Sequence, residues 1–333
     1  MSKAVEHLKI MKKVKIGFIG AGQFGQSYLI PNMNIPGVEL VGVSSLSGVD
    51  AHTVARQFNF GIATTDAGEL IRQPDINLIF IATQHDSHGK YVLDSIRSGK
   101  SVYVEKPLAV NRDELYLISD AVEKHSGRVM VGYNRRFSQS FRLIKEFLTP
   151  RTEQMIINYR VNAGKLPRNH WVYRQEQGSG RIVGEVCHFI DCMVFLTGSL
   201  PVKIYSEVIS SDNTEVFNND NVLITIKFRD GSTGAIEYLA NGNSLLPKER
   251  CEVFCEGKTA VMDNFTIIEL YSGKNIKVHK LDGKKGHREE VIATINSISN
   301  GTGMPIPFRE LEAISTATFA ALESITTGNA VLL

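Results

Sequence analysis

Three groups of residues have the types and spacing that chemistry requires. Gly20-Ala21-Gly22-Gln23-Phe24-Gly25 reads G-x-G-x-x-G and follows the apolar run Lys15-Ile16-Gly17-Phe18-Ile19. A strand, a glycine loop and a helix in that order form a cradle for a dinucleotide pyrophosphate. Gly20 allows the tight turn, Gly22 lets backbone N–H groups approach the phosphates, and Gly25 permits close helix–strand packing. Gln23 and Phe24 fall on the first turn of the helix, whose orphan N–H groups and dipole favour an anion. The second group is Tyr103-Val104-Glu105-Lys106-Pro107-Leu108, after a later apolar strand. Ligands of open parallel sheets bind beyond the carboxyl ends of the strands, so Lys106 falls where cofactor and substrate would meet. The third is Glu185, His188, Asp191 and Cys192, at i, i+3, i+6 and i+7. On a helix they share one stripe. Imidazole titrates near neutrality, as proton exchange with a hydroxyl demands. A carboxylate one turn away would orient the ring and sustain its charged form.

The same residues argue against a metal centre. Cys187 and His188 point about 100° apart on a helix, and Cys251 and Cys255 lie ~13 Å apart on a strand. At the end of the second strand, an acid commonly binds the adenosine ribose of NAD. Here the segment is Val41-Gly42-Val43-Ser44-Ser45-Leu46-Ser47. Nothing there repels a 2′-phosphate, and the three hydroxyls of Ser44, Ser45 and Ser47 could hydrogen-bond one. Either NAD or NADP therefore fits. Further on, Lys165–Arg174 combines three basic side chains with His170, Tyr173 and the only tryptophan, Trp171. That mixture suits stacking on a sugar and pairing with an anion, and equally a solvated loop anchored by one ring.

The elements that must position these groups alternate at first. Strands are expected at Val14–Ile19, Val38–Val43, Leu78–Ala82, Ser101–Val104 and Arg128–Val131, with helices over Gln23–Met33, Val49–Phe58, His88–Ser98 and Asn111–His125. Asn111 is placed as an N-cap, with Glu114 completing a capping box. Such alternation implies an α/β Rossmann domain, a doubly wound parallel sheet covered on both faces. After about residue 150, eight strand-like runs joined by turns such as Asp230-Gly231 imply an α+β domain with a large, mostly antiparallel open sheet. Helices are expected around Ser179–Leu196, Gly286–Ser299 and Phe308–Thr326. The division expected is 11–134 for cofactor binding and 135–333 for substrate binding and oligomerisation.

The bulk of the chain excludes several roles. Its 37 Lys and Arg against 35 Asp and Glu leave a net charge of +2, so no global field selects nucleic acid or a membrane surface. Its 333 residues, 43% of them hydrophobic, suit two ordinary globular domains. The first residues lack a signal peptide's apolar core, and Met11 reads as an alternative start after a loose extension. Four cysteines make no disulfide framework. The expectation is a soluble, cytoplasmic protein.

Taken together and in order, four motifs strongly resemble the glucose–fructose oxidoreductase, inositol dehydrogenase and rhizopine catabolism (Gfo/Idh/MocA) family. They are the glycine loop, Ile81-Ala82-Thr83 with His88, Glu105-Lys106-Pro107, and Gly132-Tyr133-Asn134-Arg135-Arg136-Phe137. Gly178-Ser179-Gly180 with Glu185–Asp191, Pro247–Arg250, Gly286–Glu290 and Pro307–Glu310 extend the resemblance over nearly the whole chain. These later motifs look like members that accompany polysaccharide and sugar-modification systems. The resemblance implies hydride transfer between a ring hydroxyl carbon and NAD(P). It places Thr83, His88, Glu105 and Lys106 at the cofactor and gives Lys106 and His188 catalytic roles. Asn134, Arg136, Trp171 and Asp191 become candidate substrate ligands. The family carries an aspartate four residues before the histidine, where this chain has Gly184; Glu185, one residue on, is the candidate replacement. The expected enzyme is a homodimer or homotetramer acting on a sugar, cyclitol or anionic derivative. Two other readings carry weight: reduction of a C=C or C=N bond, and NAD(P) sensing without turnover.

Overall fold

The computed structural model describes residues 12–174, 179–210 and 218–333. Met11, the extension before it, and Gly178 lie outside the described residues. The first domain runs β1 (Val14–Ile19), β2 (Val38–Ser44), α1 (Gly48–Phe58), β3 (Ile62–Thr64), α2 (Ala67–Arg72), β4 (Leu78–Ile81), α3 (His88–Arg97), β5 (Ser101–Val104), α4 (Arg112–His125) and β6 (Val129–Val131). All six strands are parallel, in the order β3-β2-β1-β4-β5-β6. The order reverses direction between β1 and β4, which makes their carboxyl ends the ligand-binding switch point. Central strands covered on both faces have no need of polar alternation, and every residue of β4 is buried.

Two local features depart from expectation. The helix after the glycine loop is a π-turn, Gly25–Leu29, running into a 3₁₀ turn, Ile30–Met33. Pro31 has no N–H to donate, so a regular α ladder cannot run through it. Glu114 accepts from the amide of Val110, not from that of Asn111, while Asn111 does cap α4 by accepting from the amide of Glu114. β3 and α2, of three and six residues, are too short for periodicity to reveal.

The second segment contains α5 (Gln139–Leu148), β7 (Ile156–Asn162), α6 (Cys187–Thr197), β8 (Pro201–Val208), β9 (Asn221–Phe228), β10 (Thr233–Leu239), β11 (Glu249–Cys255), β12 (Lys258–Asp263), β13 (Ile267–Ser272), β14 (Asn275–Lys280), α7 (His287–Ser299), α8 (Phe308–Thr327) and β15 (Val331–Leu332). Its sheet has nine strands in the order β14-β13-β12-β11-β7-β10-β9-β8-β15. Every pairing is antiparallel except β7 with β10. One face buries Tyr159, Phe228, Tyr238 and Val253, while α6 and α8 pack on each other and α8 on β8. The other face leaves Ile156, Leu223, Phe254, Ile276 and Val278 exposed. A division at 134/135 separates the two sheets, but α7 returns to pack on β1 and on the turns after the glycine loop. Among the described residues, no helix is long and apolar enough to cross a membrane.

Candidate active site

The three loop glycines have three different surroundings. Gly20 has φ of 104°, and a Cβ there would lie 2.4 Å from the carbonyl oxygen of Ala82. A Cβ on Gly25 would meet the Phe18 ring at 2.8 Å. Both glycines are therefore required by the fold itself. A Cβ on Gly22 would meet nothing within 4 Å. Among the described residues no atom asks for a glycine there, and the open space lies at a helix start, where N–H groups lack partners. Gly22, Gln23 and Phe24 are all exposed, as a surface held open for a pyrophosphate requires. Ser44 is buried and its carbonyl accepts from the amide of Gly20 at 2.9 Å. Ser45 is partly exposed, whereas Ser47 caps α1 by accepting from the amide of Asp50. Thr83 stands partly exposed after β4, where its hydroxyl accepts from Ser87 at 2.7 Å.

Lys106 follows β5, next to the switch point. Its ammonium is a charge that His85, His88, His188 and Glu185 all feel. Two neighbours expected at the cofactor are instead spent on holding this loop. His88 is fully buried, with Nδ1 2.8 Å from the carbonyl oxygen of Pro107 and Nε2 3.1 Å from that of Thr83. It braces the Lys106 loop against the β4 loop. Glu105 points into the protein, where the Tyr103 hydroxyl donates to it at 3.0 Å. Burial pushes its pKa up to about 7, against the opposing pull of Lys106 and Tyr103.

His188 opens α6, buried, with its ring edge-on to Tyr133 at 6.0 Å and Nδ1 without a hydrogen-bond partner among the described residues. Burial, then the charges of Arg135, Lys106, His287 and Lys248, hold it well below the ordinary imidazole range. These causes favour its uncharged form. The expected partnership with Glu185 does not form. Residues 182–186 make a π-turn, whose i→i+5 bonding widens the spiral and breaks the i, i+3 stacking of an α-helix. Glu185 instead faces Arg181 at 3.4 Å and Lys248 at 3.9 Å. Burial opposes its ionisation, but Lys248, Lys106 and Arg181 outweigh that and keep it below the usual carboxylate range. Sequence reading missed Arg181, Lys248 and His85, the last of which stands against Gly184. Trp171 packs edge-on to His85, with centroids 4.7 Å apart.

Three expected substrate ligands are engaged by protein partners. Arg136 grips Asp191 with Nε at 2.9 Å and Nη2 at 2.6 Å, and reaches Glu310 with Nη1 at 2.9 Å. Asp191 is completely buried, and burial pushes it up to about 6 despite Arg136. Asn134 donates to the carbonyl of Lys285 at 2.9 Å, fixing the turn before α7. Beside them Arg135 makes a two-pronged pair with Glu249, at 2.8 and 3.0 Å, which Lys285 and Tyr159 complete. Arg135 thus spends its Nε and Nη2 on a buried carboxylate. Charge-rich motifs look alike in sequence whether they face a ligand or each other.

Comparison with known proteins agrees with this layout. Residues 14–133 match the model of the GFO_IDH_MocA oxidoreductase family with its NAD-binding Rossmann fold, and residues 151–261 match the GFO/IDH/MocA C-terminal domain. The chain belongs to the Gfo/Idh/MocA family. This Gfo/Idh/MocA oxidoreductase is 25% identical over 264 residues to the uncharacterized oxidoreductase YrbE of Bacillus subtilis, covering 76% of this chain and 74% of that one. It is 28% identical over 188 residues to the inositol 2-dehydrogenase of Ralstonia nicotianae, a match spanning about half of each chain (56% and 55%). In fold it is similar to a levoglucosan dehydrogenase solved with NADH and levoglucosan, at a TM-score of 0.81 and 19% identity over 96% of this chain and 99% of that one. It is an NAD(P)-dependent oxidoreductase.

Proposed function

We propose that this enzyme oxidises a ring CH–OH of a sugar, cyclitol or sugar derivative, or reduces the matching ketone. When bound, the nicotinamide supplies the hydride chemistry. Lys106 holds the reacting hydroxyl and its positive charge lowers the hydroxyl's pKa. His188 exchanges the proton through an imidazole that is uncharged in the free enzyme. One observation carries this reading: a neutral histidine with an unpartnered ring nitrogen feels the Lys106 ammonium beside the switch point. Lys248 and Arg181 are balanced by Glu185 and by Asp220, which Arg181 reaches at 3.7 Å, so the charge left over here is that of Lys106, which favours a substrate bearing a carboxylate or phosphate.

The exposed apolar side chains on the outer face of the nine-stranded sheet support a homodimer or homotetramer built through the second domain. The four free thiols suit a reducing cytoplasm.

Turnover on a panel of myo-inositol, levoglucosan, glucose, glucuronate and glucose 6-phosphate tests the reading. Lys106→Ala and His188→Ala should each lose ~10²–10⁴-fold in rate with cofactor binding retained. Wild-type inactivity on every member, or near-normal turnover in His188→Ala, would sink it. Light scattering tests the assembly, and a mass of 36.9 kDa, that of one chain, at micromolar concentration would contradict it.

A further inference from the structure

The position that carries an aspartate in the family is Gly184 here, and the space before it is filled from the other domain. A Cβ on Gly184 would lie 2.6 Å from Cε1 of His85. Real side chains do not approach that closely, so a side chain at 184 would displace this imidazole from where it sits. The ring is held from two sides. Its Nδ1 is 2.9 Å from the hydroxyl of Ser179, and Trp171 meets it edge-on at 4.7 Å. Both clamps come from the second domain, whereas His85 comes from the loop after β4. The other ring nitrogen, Nε2, has no hydrogen-bond partner among the described residues.

We propose that His85 takes the place of the absent carboxylate and meets the substrate there as a neutral hydrogen-bonding group, which lets the site accept a sugar bearing a carboxylate or phosphate. The assignment rests on the dehydrogenase reading above. Burial, then the charges of Lys106 and His88, push the His85 pKa down to about 2. The ring therefore favours its uncharged form near neutral pH. An aspartate in this space would face the substrate with a negative charge beside Lys106. Imidazole keeps a hydrogen bond and removes that charge. Glu185 does not restore it, because Arg181 and Lys248 both pair with it. An anionic group on the substrate then meets Lys106 without a competing carboxylate in this space. His85 is in this sense a specificity-determining residue, and Gly184 is what admits it.

The test is a double-mutant cycle between His85→Asn and Gly184→Asp. In the wild type, kcat/KM for glucuronate or glucose 6-phosphate should exceed that for glucose by about tenfold or more. The two anionic probes separate a carboxylate preference from a phosphate preference. The double variant should reverse the ratio through KM, with NADH affinity within about threefold of the wild type. Gly184→Asp alone should lower the melting temperature by ~3 °C or more, because carboxylate and ring compete for one space, and adding His85→Asn should restore it. Additive melting shifts, or an unchanged preference in a folded double variant, would overturn the assignment. Inactivity of the wild type on every sugar sinks the dehydrogenase reading separately. The substrate-free melting cycle still decides whether the imidazole owns that space.

Discussion

Gly22 lies just before one π-turn and Gly184 in the middle of another, and they stand at opposite ends of the chemistry. Around Gly22 the chain leaves space that none of its own atoms uses, while at Gly184 another side chain fills the space at once. The same contrast runs through their neighbourhoods. Gly22, Gln23 and Phe24 are exposed and carry no buried charge. The histidine end packs Arg135, Arg136, Asp191 and Glu249 into the interior, each charge answered by another. The cofactor end is preformed by leaving something out. The histidine end commits most of its charged groups to a neighbour, which leaves Lys106 and one ring nitrogen each of His188 and His85 without a hydrogen-bond partner among the described residues.

The largest effect that separates the two ends comes from Gly22→Val. It should weaken NADH binding by ~10²-fold or more, because a branched side chain occupies the place of the pyrophosphate. Melting temperature should hardly move, since the new atoms meet no protein neighbour. Gly25→Val should do the reverse and first cost stability, of the order of 1–3 kcal/mol, through contact with the Phe18 ring. Fluorescence titration and thermal melting on both variants decide the matter. Equal loss of stability in the two would erase the distinction between a glycine kept for a guest and one kept for the fold.

Next in size is the buried pair at the histidine end. Arg136→Met leaves the Asp191 carboxylate without its partner, and breaking such a pair costs ~3–5 kcal/mol. Urea unfolding should show that loss, while KM measured well below the melting temperature stays close to the wild type. A large rise in KM with stability intact would return Arg136 to the substrate.

The cofactor end was legible because its signal is local. Three glycines within six residues, a strand before them and a helix after them define the site without reference to anything distant. The parallel sheet and the open antiparallel sheet were legible for a similar reason, from alternating elements and regular turns, whereas their strand orders were not. The histidine end misleads because its partners come from afar. Nothing in the spacing of Glu185, His188 and Asp191 announces that Asp191 belongs to Arg136, or that Glu185 belongs to Arg181 and Lys248. The π-turn over Ile182–Val186 shifts the stripe that an α-helix would have made. The missing aspartate at 184 was visible in the sequence, but its replacement at 85 lies on a different domain. Only the fold brings them together.

Acid stability sharpens the comparison at a smaller scale. His85, His88, His188 and His287 are all held below the ordinary imidazole range, each by burial before any other cause. His287, pushed down to about 4, stays neutral in the folded protein while the unfolded chain takes up a proton below about 6.5. Its contribution is therefore complete above pH 6.5 and is lost as pH falls toward 4. Asp191 and Glu105 run the other way, since their raised values stabilise the fold at low pH and that gain is lost as pH rises through about 6 and about 7. A difference experiment isolates the histidine. Between pH 7 and pH 5, His287→Asn should lose about 2 kcal/mol less stability than the wild type. Gly22→Val should show the wild-type slope. Equal slopes in the wild type and His287→Asn would mean that the ring titrates normally in the folded chain.

The smallest expected effect is the choice between NADH and NADPH. No carboxylate stands at the end of β2 to accept the ribose hydroxyls and repel a 2′-phosphate, so the penalty that makes an enzyme strict for NAD is missing. The attractive side is weak too. Ser47 is committed to capping α1, and Ser44 is buried with its carbonyl on the amide of Gly20. That leaves Ser45 and the N-terminal end of α1. The helix dipole there favours an anion, while Asp50 in its first turn opposes one. With small terms of opposite sign, the two cofactors should differ by less than about a hundredfold in affinity, or ~2.7 kcal/mol. Parallel fluorescence titrations measure the ratio directly. A stronger preference for NADH would show that a group outside β2 guards the ribose. The cofactor end would then be selective by committed side chains, as the histidine end is, and the contrast between the two would narrow to the glycine loop alone.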